Sequence, residues 1–121
     1  MQIHSLSAVE LRDLLQRREL SSVDVVQALI ARRRAVDPLV RAFVVELDAA
    51  ALAAAERADA ARSRGEDLGP LHGLPITIKE NIDVVGLDST MGVTARRQQP
   101  AQVDAVTVRA DRKSTRLNSS H

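Results

Sequence analysis

Lys79 closes a stretch in which Ile76 and Ile78 alternate with Thr77 and Lys79. That period of two predicts a strand with the isoleucines on one face and Thr77 and Lys79 on the other. An amine near the carboxyl end of a strand sits where open α/β sheets collect their ligands. Its ammonium form is a poor base at neutral pH. Desolvation in a closed apolar site favours the neutral amine, which can then take a proton from a hydroxyl nucleophile. Without burial the same group is a surface charge, and spacing alone leaves Lys79 as one. Glu80 and Asp83 offer carboxylates for acid/base work, although a glutamate beside a lysine is more often a local charge neighbour. His4, His72 and His121 are too scattered for a metal centre, with no His-Glu-x-x-His spacing, and His72 reads as a loop residue near Lys79.

The elements that must position these groups are mostly helical up to residue 64. Ser7 with Glu10 has the spacing of a capping box, and Leu11, Leu14 and Leu15 then share a helical face. Ser21 with Asp24 repeats the device, and Val25, Val26, Leu29, Ile30 and Val36 carry an apolar stripe to Asp37-Pro38, where proline is expected to end the helix. The run Arg32-Arg33-Arg34 reads as a solvated face that complements the helix dipole. Val40 to Glu46 reads as a short strand. Asp48 is placed to cap a third helix, Ala49 to Arg64, built on alanines, with Asp59 and Arg62 paired at i,i+3 and Gly65 as the stop. Gly65 to Pro75 is loop chemistry, the strand 76–79 follows, and Asp83 to Val85 forms a second extended stretch that turns at Gly86.

The 121 residues fit one small domain, and Phe43 is the only ring, so the core must rest on Ala, Val, Leu and Ile. A net charge of +1 gives no case for a nucleic-acid or membrane partner. The chain has no cysteine, which rules out disulfides and thiolate metal sites within it and fits a reducing compartment. No signal-peptide pattern opens the chain and no run could span a bilayer, so the expectation is a soluble, cytoplasmic protein. Nothing in the sequence sets an oligomeric state.

The segment Gly69-Pro70-Leu71-His72-Gly73-Leu74-Pro75-Ile76-Thr77-Ile78-Lys79-Glu80-Asn81 resembles the amidase-signature family's Gly-Pro-Leu-His-Gly-(aliphatic)-Pro followed by aliphatic residues and Lys-(Asp/Glu)-Asn. Ser7 to Phe43, Gly86 to Gly92 and Pro100 to Val108 are also similar to family segments, so the resemblance covers nearly everything before residue 111. It implies an α/β fold with a mixed central sheet flanked by helices, and an amide-bond hydrolase acting on a small-molecule amide without a cofactor. It also implies a Ser-cisSer-Lys mechanism. Only the lysine maps onto this chain, as Lys79; the Gly-Gly-Ser-Ser-Gly-Gly-like stretch that carries both serines is not in it, and Ser89 belongs to another turn. The largest electrostatic contribution to amide hydrolysis, the oxyanion hole, is expected downstream as well. The chain therefore reads as an inactive amino-terminal fragment of an amidase. Two other readings are the same part of a glutamyl-tRNA amidotransferase A subunit or, from another class, a small helical interaction module built on the alanine helix and Arg32 to Arg34.

Residues 1–110 read as the amidase part and 111–121 as a non-native or disordered tail. Asp111-Arg112-Lys113-Ser114-Thr115-Arg116-Leu117-Asn118-Ser119-Ser120-His121 has one apolar side chain and no helical stripe, and its wording resembles a translated sequencing adapter. Loss of the remaining sheet is expected to leave the fragment marginally stable and prone to aggregation.

Overall fold

Both capping boxes form. In the computed structural model of the protein, which describes residues 1–115, the Ser7 hydroxyl accepts from the Glu10 N–H at 3.2 Å while the Glu10 carboxylate takes the Ser7 N–H at 2.6 Å. They start helix α1 (Ala8–Gln16). Ser21 and Asp24 make the same exchange at the start of α2 (Ser22–Val40). The alanine-rich helix α3 spans Asp48–Ser63, and α4 spans Val106–Thr115. Gly65, at φ +70°, ends α3 as expected, with its N–H on the Arg62 carbonyl and the Glu66 N–H on the Ala61 carbonyl.

Leu11 and Leu15 of α1 and Val25 of α2 form the centre of the core, covered by Ile3, Leu6, Leu20, Leu29 and Leu74. Ala55, Ala58 and Ala61 are buried along one face of α3. Their i,i+3 spacing makes a strip of small side chains on which α2 packs, and α2–α3 is the most extensive helix contact. The two helices run antiparallel: Asp59, late in α3, meets the start of α2, while Asp48, at the start of α3, meets Arg33 far along α2.

Several expectations are corrected. Among the described residues there is no β-strand, so the mixed sheet is not seen; the nearest approach to one is an isolated antiparallel bridge between Asp88 and Pro100. Val40 to Glu46, Ile76 to Lys79 and Asp83 to Val85 are not strands. A strand needs a neighbour for its backbone N–H and C=O groups, and none lies alongside residues 76–79 among those described. Ile76 and Ile78 are exposed, at 53% and 38%.

Proline does not stop α2 at Asp37. Pro38 lies inside the last turn and the helix runs to Val40. It ends instead at Arg41, in the left-handed region, whose N–H bonds the Asp37 carbonyl at 2.6 Å, and the Asp37 carboxylate then takes the N–H of Ala42 and of Phe43. Nor does Asp48 act as a cap. Leu47 occupies that position, and the Asp48 carboxylate is gripped by the fork of Arg33 and also reached by Arg34 at 3.2 Å. Arg33 is therefore not on a solvated face: its side chain is only 10% exposed, and its guanidinium also lies 5.6 Å from the Phe43 ring centroid. Of the basic run only Arg33 is used inside the fold, while Arg32 and Arg34 stay exposed as expected; the alanine face, on which a separate interaction module would also rest, is buried at Ala55, Ala58 and Ala61.

Residues 111–115 of the expected tail fall within the described residues. α4 continues through Asp111–Thr115, because a helix already started by buried Val108 propagates at one bond per residue. Arg112 reaches back to Asp104 at 2.8 Å, and the Ser114 hydroxyl donates to the Ala110 carbonyl. Residues 116–121, and His121 with them, lie outside the described residues. Among those described, no helix is long and apolar enough to cross a membrane.

Two carboxylates make these helix starts acid-sensitive. The Ser7 backbone N–H holds the Glu10 carboxyl below its ordinary value of 4.5, and the Arg33 fork holds Asp48 below 3.8. A lowered folded-state pKa contributes stability that is full above the unfolded value and is lost as pH falls through the folded one. Helical circular dichroism should stay level down to about pH 4.5 and decline below it; helicity that rises on acidification would contradict this.

Candidate functional site

The loop ahead of Lys79 is held by three contacts with the helices. His72, 3% exposed, places Nε2 2.8 Å from the Ala58 carbonyl. A carbonyl only accepts, so Nε2 carries the proton there. Arg62 donates to the His72 carbonyl at 3.3 Å. Gly73, at φ +81°, brings its backbone so close to α2 that a Cβ would lie 2.2 Å from the Ser22 hydroxyl oxygen. Ser22 itself is fully buried. His72 is thus a buried anchor and not the plain loop residue that its sequence context suggests.

The receiving end of this clamp is built around Asp59. Its carboxylate accepts the N–H groups of Ser22, at 2.7 Å, and Val23, at 3.1 Å, in the first turn of α2. Those donors have no partner within their own helix, and the negative charge also meets the positive end of the helix dipole. The expected Asp59–Arg62 pair is present at 3.7 Å. Arg62 is mostly buried, and desolvation pushes its guanidinium down from its ordinary value while Asp59 opposes the shift. Asp59 thereby joins the start of α2, α3 and, through Arg62, the His72 loop.

Beyond the clamp residues 74–79 have no regular secondary structure and the chain then turns, with the Ile82 N–H on the Lys79 carbonyl at 3.0 Å. Lys79 is exposed, so the described residues do not enclose it. Glu80 is engaged elsewhere. One carboxylate oxygen takes the N–H and the hydroxyl of Thr90, the other takes the Met91 N–H at 2.9 Å, and the Ser89 hydroxyl donates to the Glu80 carbonyl at 3.1 Å. These donors, led by the Thr90 N–H, hold the Glu80 carboxyl below its ordinary value. Asp83 contributes its carbonyl to the Ala105 N–H at 2.9 Å.

A second tie fastens this region to α4. Gly86 N–H bonds the Ala101 carbonyl and Ala101 N–H the Leu87 carbonyl, both at 2.9 Å, which lays residues 86–88 against 100–101. Asp104 accepts the Val85 N–H at 2.8 Å and is itself held by Arg112. The sequence reading missed Asp59, Arg62 and Ser22 as parts of the site's support. The i,i+3 spacing marked the first two as a pair, but nothing local marks an acid that caps a different helix. Among the described residues no group of His, Cys, Asp or Glu is arranged to hold a metal ion.

Comparison with known proteins fits this framework. The amidase family model matches residues 24–114, and the chain belongs to that family. It is 45% identical over 103 residues to an indoleacetamide hydrolase of Bradyrhizobium diazoefficiens, covering 85% of this chain and 20% of the relative. It is 40% identical over 109 residues to the glutamyl-tRNA(Gln) amidotransferase A subunit of Moorella thermoacetica, covering 90% of this chain and 22% of that relative. The chain therefore spans about a fifth of the length of these curated relatives. Among solved structures it superposes with a TM-score of 0.84 and 32% identity on a chain described as "An unexpected vestigial protein complex reveals the evolutionary origins of an s-triazine catabolic enzyme", covering 91% of this chain and 24% of that one. An inhibitor-bound complex of the same description gives 0.85.

Two of the left-handed glycines, Gly65 and Gly73, separate conformation from close approach. Gly65→Ala meets only the backbone cost of positive φ, about 1 kcal/mol, since no atom lies within 4 Å of its Cβ. Gly73→Ala adds the collision with Ser22 and is expected to lower the urea midpoint of helix loss further than Gly65→Ala. Equal midpoints for the two variants would show that the Gly73 approach is not tight.

Proposed function

We propose that this chain is the amino-terminal part of an amidase that hydrolyses carboxylic amide bonds, with Lys79 as the general-base relay to a serine pair supplied by sequence outside this chain. The family match carries the reading: Lys79 lies within residues 24–114, inside the segment whose wording is most like the family's. The geometry supports it by fixing the backbone on both sides of Lys79, through the His72–Gly73 clamp before it and the Glu80 turn after it. The exposed Lys79, Ile76 and Ile78 fit a site that is completed by further chain. The substrate class would be a small amide, as the name of the indoleacetamide hydrolase relative suggests. By itself the chain would be inactive, marginally stable and prone to aggregation. Residues 111–121 would be a non-native tail, and the parent enzyme would be cytoplasmic.

A second reading, the corresponding part of a glutamyl-tRNA amidotransferase A subunit, rests on the similarity to the Moorella protein. It predicts glutamine-dependent amidation of misacylated glutamyl-tRNA together with partner subunits, where the first predicts direct hydrolysis of simple amides.

The test is the full-length protein carrying Lys79→Ala. Removal of a general base costs about 10²–10⁴-fold in rate, so amide hydrolysis should fall by that factor with the protein still folded. Hydrolysis that survives the change removes Lys79 from the role, and a wild-type protein without amidase or amidotransferase activity would favour an interaction module.

A further inference from the structure

Glu80 stands beside Lys79 and has the chemistry of a second acid or base, yet every oxygen it offers is committed to a segment ten residues on. Thr90 gives its N–H and its hydroxyl to one carboxylate oxygen, Met91 gives its N–H to the other, and Ser89 gives its hydroxyl to the backbone carbonyl. A carboxylate that accepts several N–H and O–H donors is held ionised and is spent as a hydrogen-bond acceptor. The turn it gathers is otherwise poorly supported. Met91 is in the left-handed region at φ +50°, a conformation that is uncommon for a residue with an unbranched apolar side chain. The Met91 and Val93 side chains are about half exposed, so little apolar packing holds the turn in place. Within the turn itself, Val93 N–H bonds the Thr90 carbonyl at 2.9 Å and Gly92 N–H bonds the Thr90 hydroxyl at 3.2 Å. Glu80 therefore joins this turn to the end of the 74–79 segment, by its carboxylate and by the carbonyl that the Ser89 hydroxyl reaches, at the residue next to Lys79.

We propose that Glu80 is a positioning residue: its carboxylate clamps the Ser89–Gly92 turn against the chain immediately after Lys79, so that the turn forms a fixed wall beside the lysine. This rests on the reading of Lys79 as the catalytic base. The consequence is a division of labour between neighbours. Lys79 keeps a side chain free of any role in the turn, while Glu80 takes no part in proton transfer and sets the position of Ser89 and Thr90 relative to it. Substituting the carboxylate by an amide, Glu80→Gln, exchanges one acceptor oxygen for an NH₂ group that cannot accept from Thr90 or Met91, without changing the side chain's size. Glu80→Asp keeps the charge and both acceptors on a shorter stem.

The experiment has two arms. In the 121-residue chain, amide hydrogen exchange at Thr90 and Met91 is expected to speed up by about tenfold in Glu80→Gln, less in Glu80→Asp, with Leu15 and Val25 in the core unaffected. Unchanged exchange at Thr90 and Met91, or equal acceleration at Leu15 and Val25, overturns the clamp. In the full-length protein, Glu80→Gln is expected to lower kcat by about 10–10²-fold, as a small displacement of a reacting geometry does, and Glu80→Asp should recover part of it, with the pH profile of the remaining activity keeping its shape. A profile that loses one limb in Glu80→Gln would make Glu80 a proton-transfer group and overturn the proposal. If the wild-type full-length protein has no amidase activity, the Lys79 reading fails and Glu80's role in it fails too, while the exchange arm still decides whether Glu80 holds the turn.

Discussion

The carboxylate of Asp59 is the point on which the arrangement depends. It sits late in α3, yet the groups it satisfies are the first N–H donors of α2. A helix begins with four N–H groups lacking intrahelical partners. Ser21 takes one of these, the N–H of Asp24, and Asp59 takes two more from across the helix interface. Because one carboxylate serves both helices, the crossing of α2 and α3 is fixed in register as well as in distance. The alanine strip at Ala55, Ala58 and Ala61 allows the approach, since bulkier side chains would hold the helices apart. The Arg33–Asp48 pair closes the far end of the same antiparallel contact.

What the crossing positions is a loop, and through the loop a lysine. Arg62, one turn beyond Asp59, donates to the His72 carbonyl, the His72 ring reaches the Ala58 carbonyl, and Gly73 lies against Ser22 in a space that admits no Cβ. Polar groups buried in this way are costly unless bonded, which makes the loop's path specific. The chain therefore leaves Gly73 in a set direction and reaches Lys79 six residues later. The structure places the lysine without enclosing it. The chain spans about a fifth of the length of the curated relatives it matches, and within it the helix crossing and the loop fix the backbone that leads to Lys79.

The helices could be read from the sequence because their signals are local. Ser7 with Glu10 and Ser21 with Asp24 declare two starts within four residues each, and Gly65 declares a stop. The strands could not be read as safely. Alternation at Ile76 and Ile78 expresses a preference for a pleated surface, but a strand exists only where another chain segment pairs with it, and no such pairing is found among the described residues. Pro38 misled for a different reason. Proline is costly in a helix interior, but near the end it loses one bond in a turn that is already ending, and the Asp37 carboxylate compensates by binding Ala42 and Phe43. Lys79 drew attention through family resemblance, whereas Asp59 and Glu80 owe their roles to partners 37 and 10 residues away. No local window contains that information.

Amide hydrogen exchange in Asp59→Ala tests this dependence most directly. If the crossing positions the loop, exchange should accelerate at Ser22 and Val23 and also at His72 and Leu74, whose N–H groups bond within the loop, because Arg62 and Ser22 would lose their fixed places together. Acceleration confined to Ser22 and Val23, with the loop amides unchanged, would show that Asp59 caps α2 and nothing more, and would contradict the account.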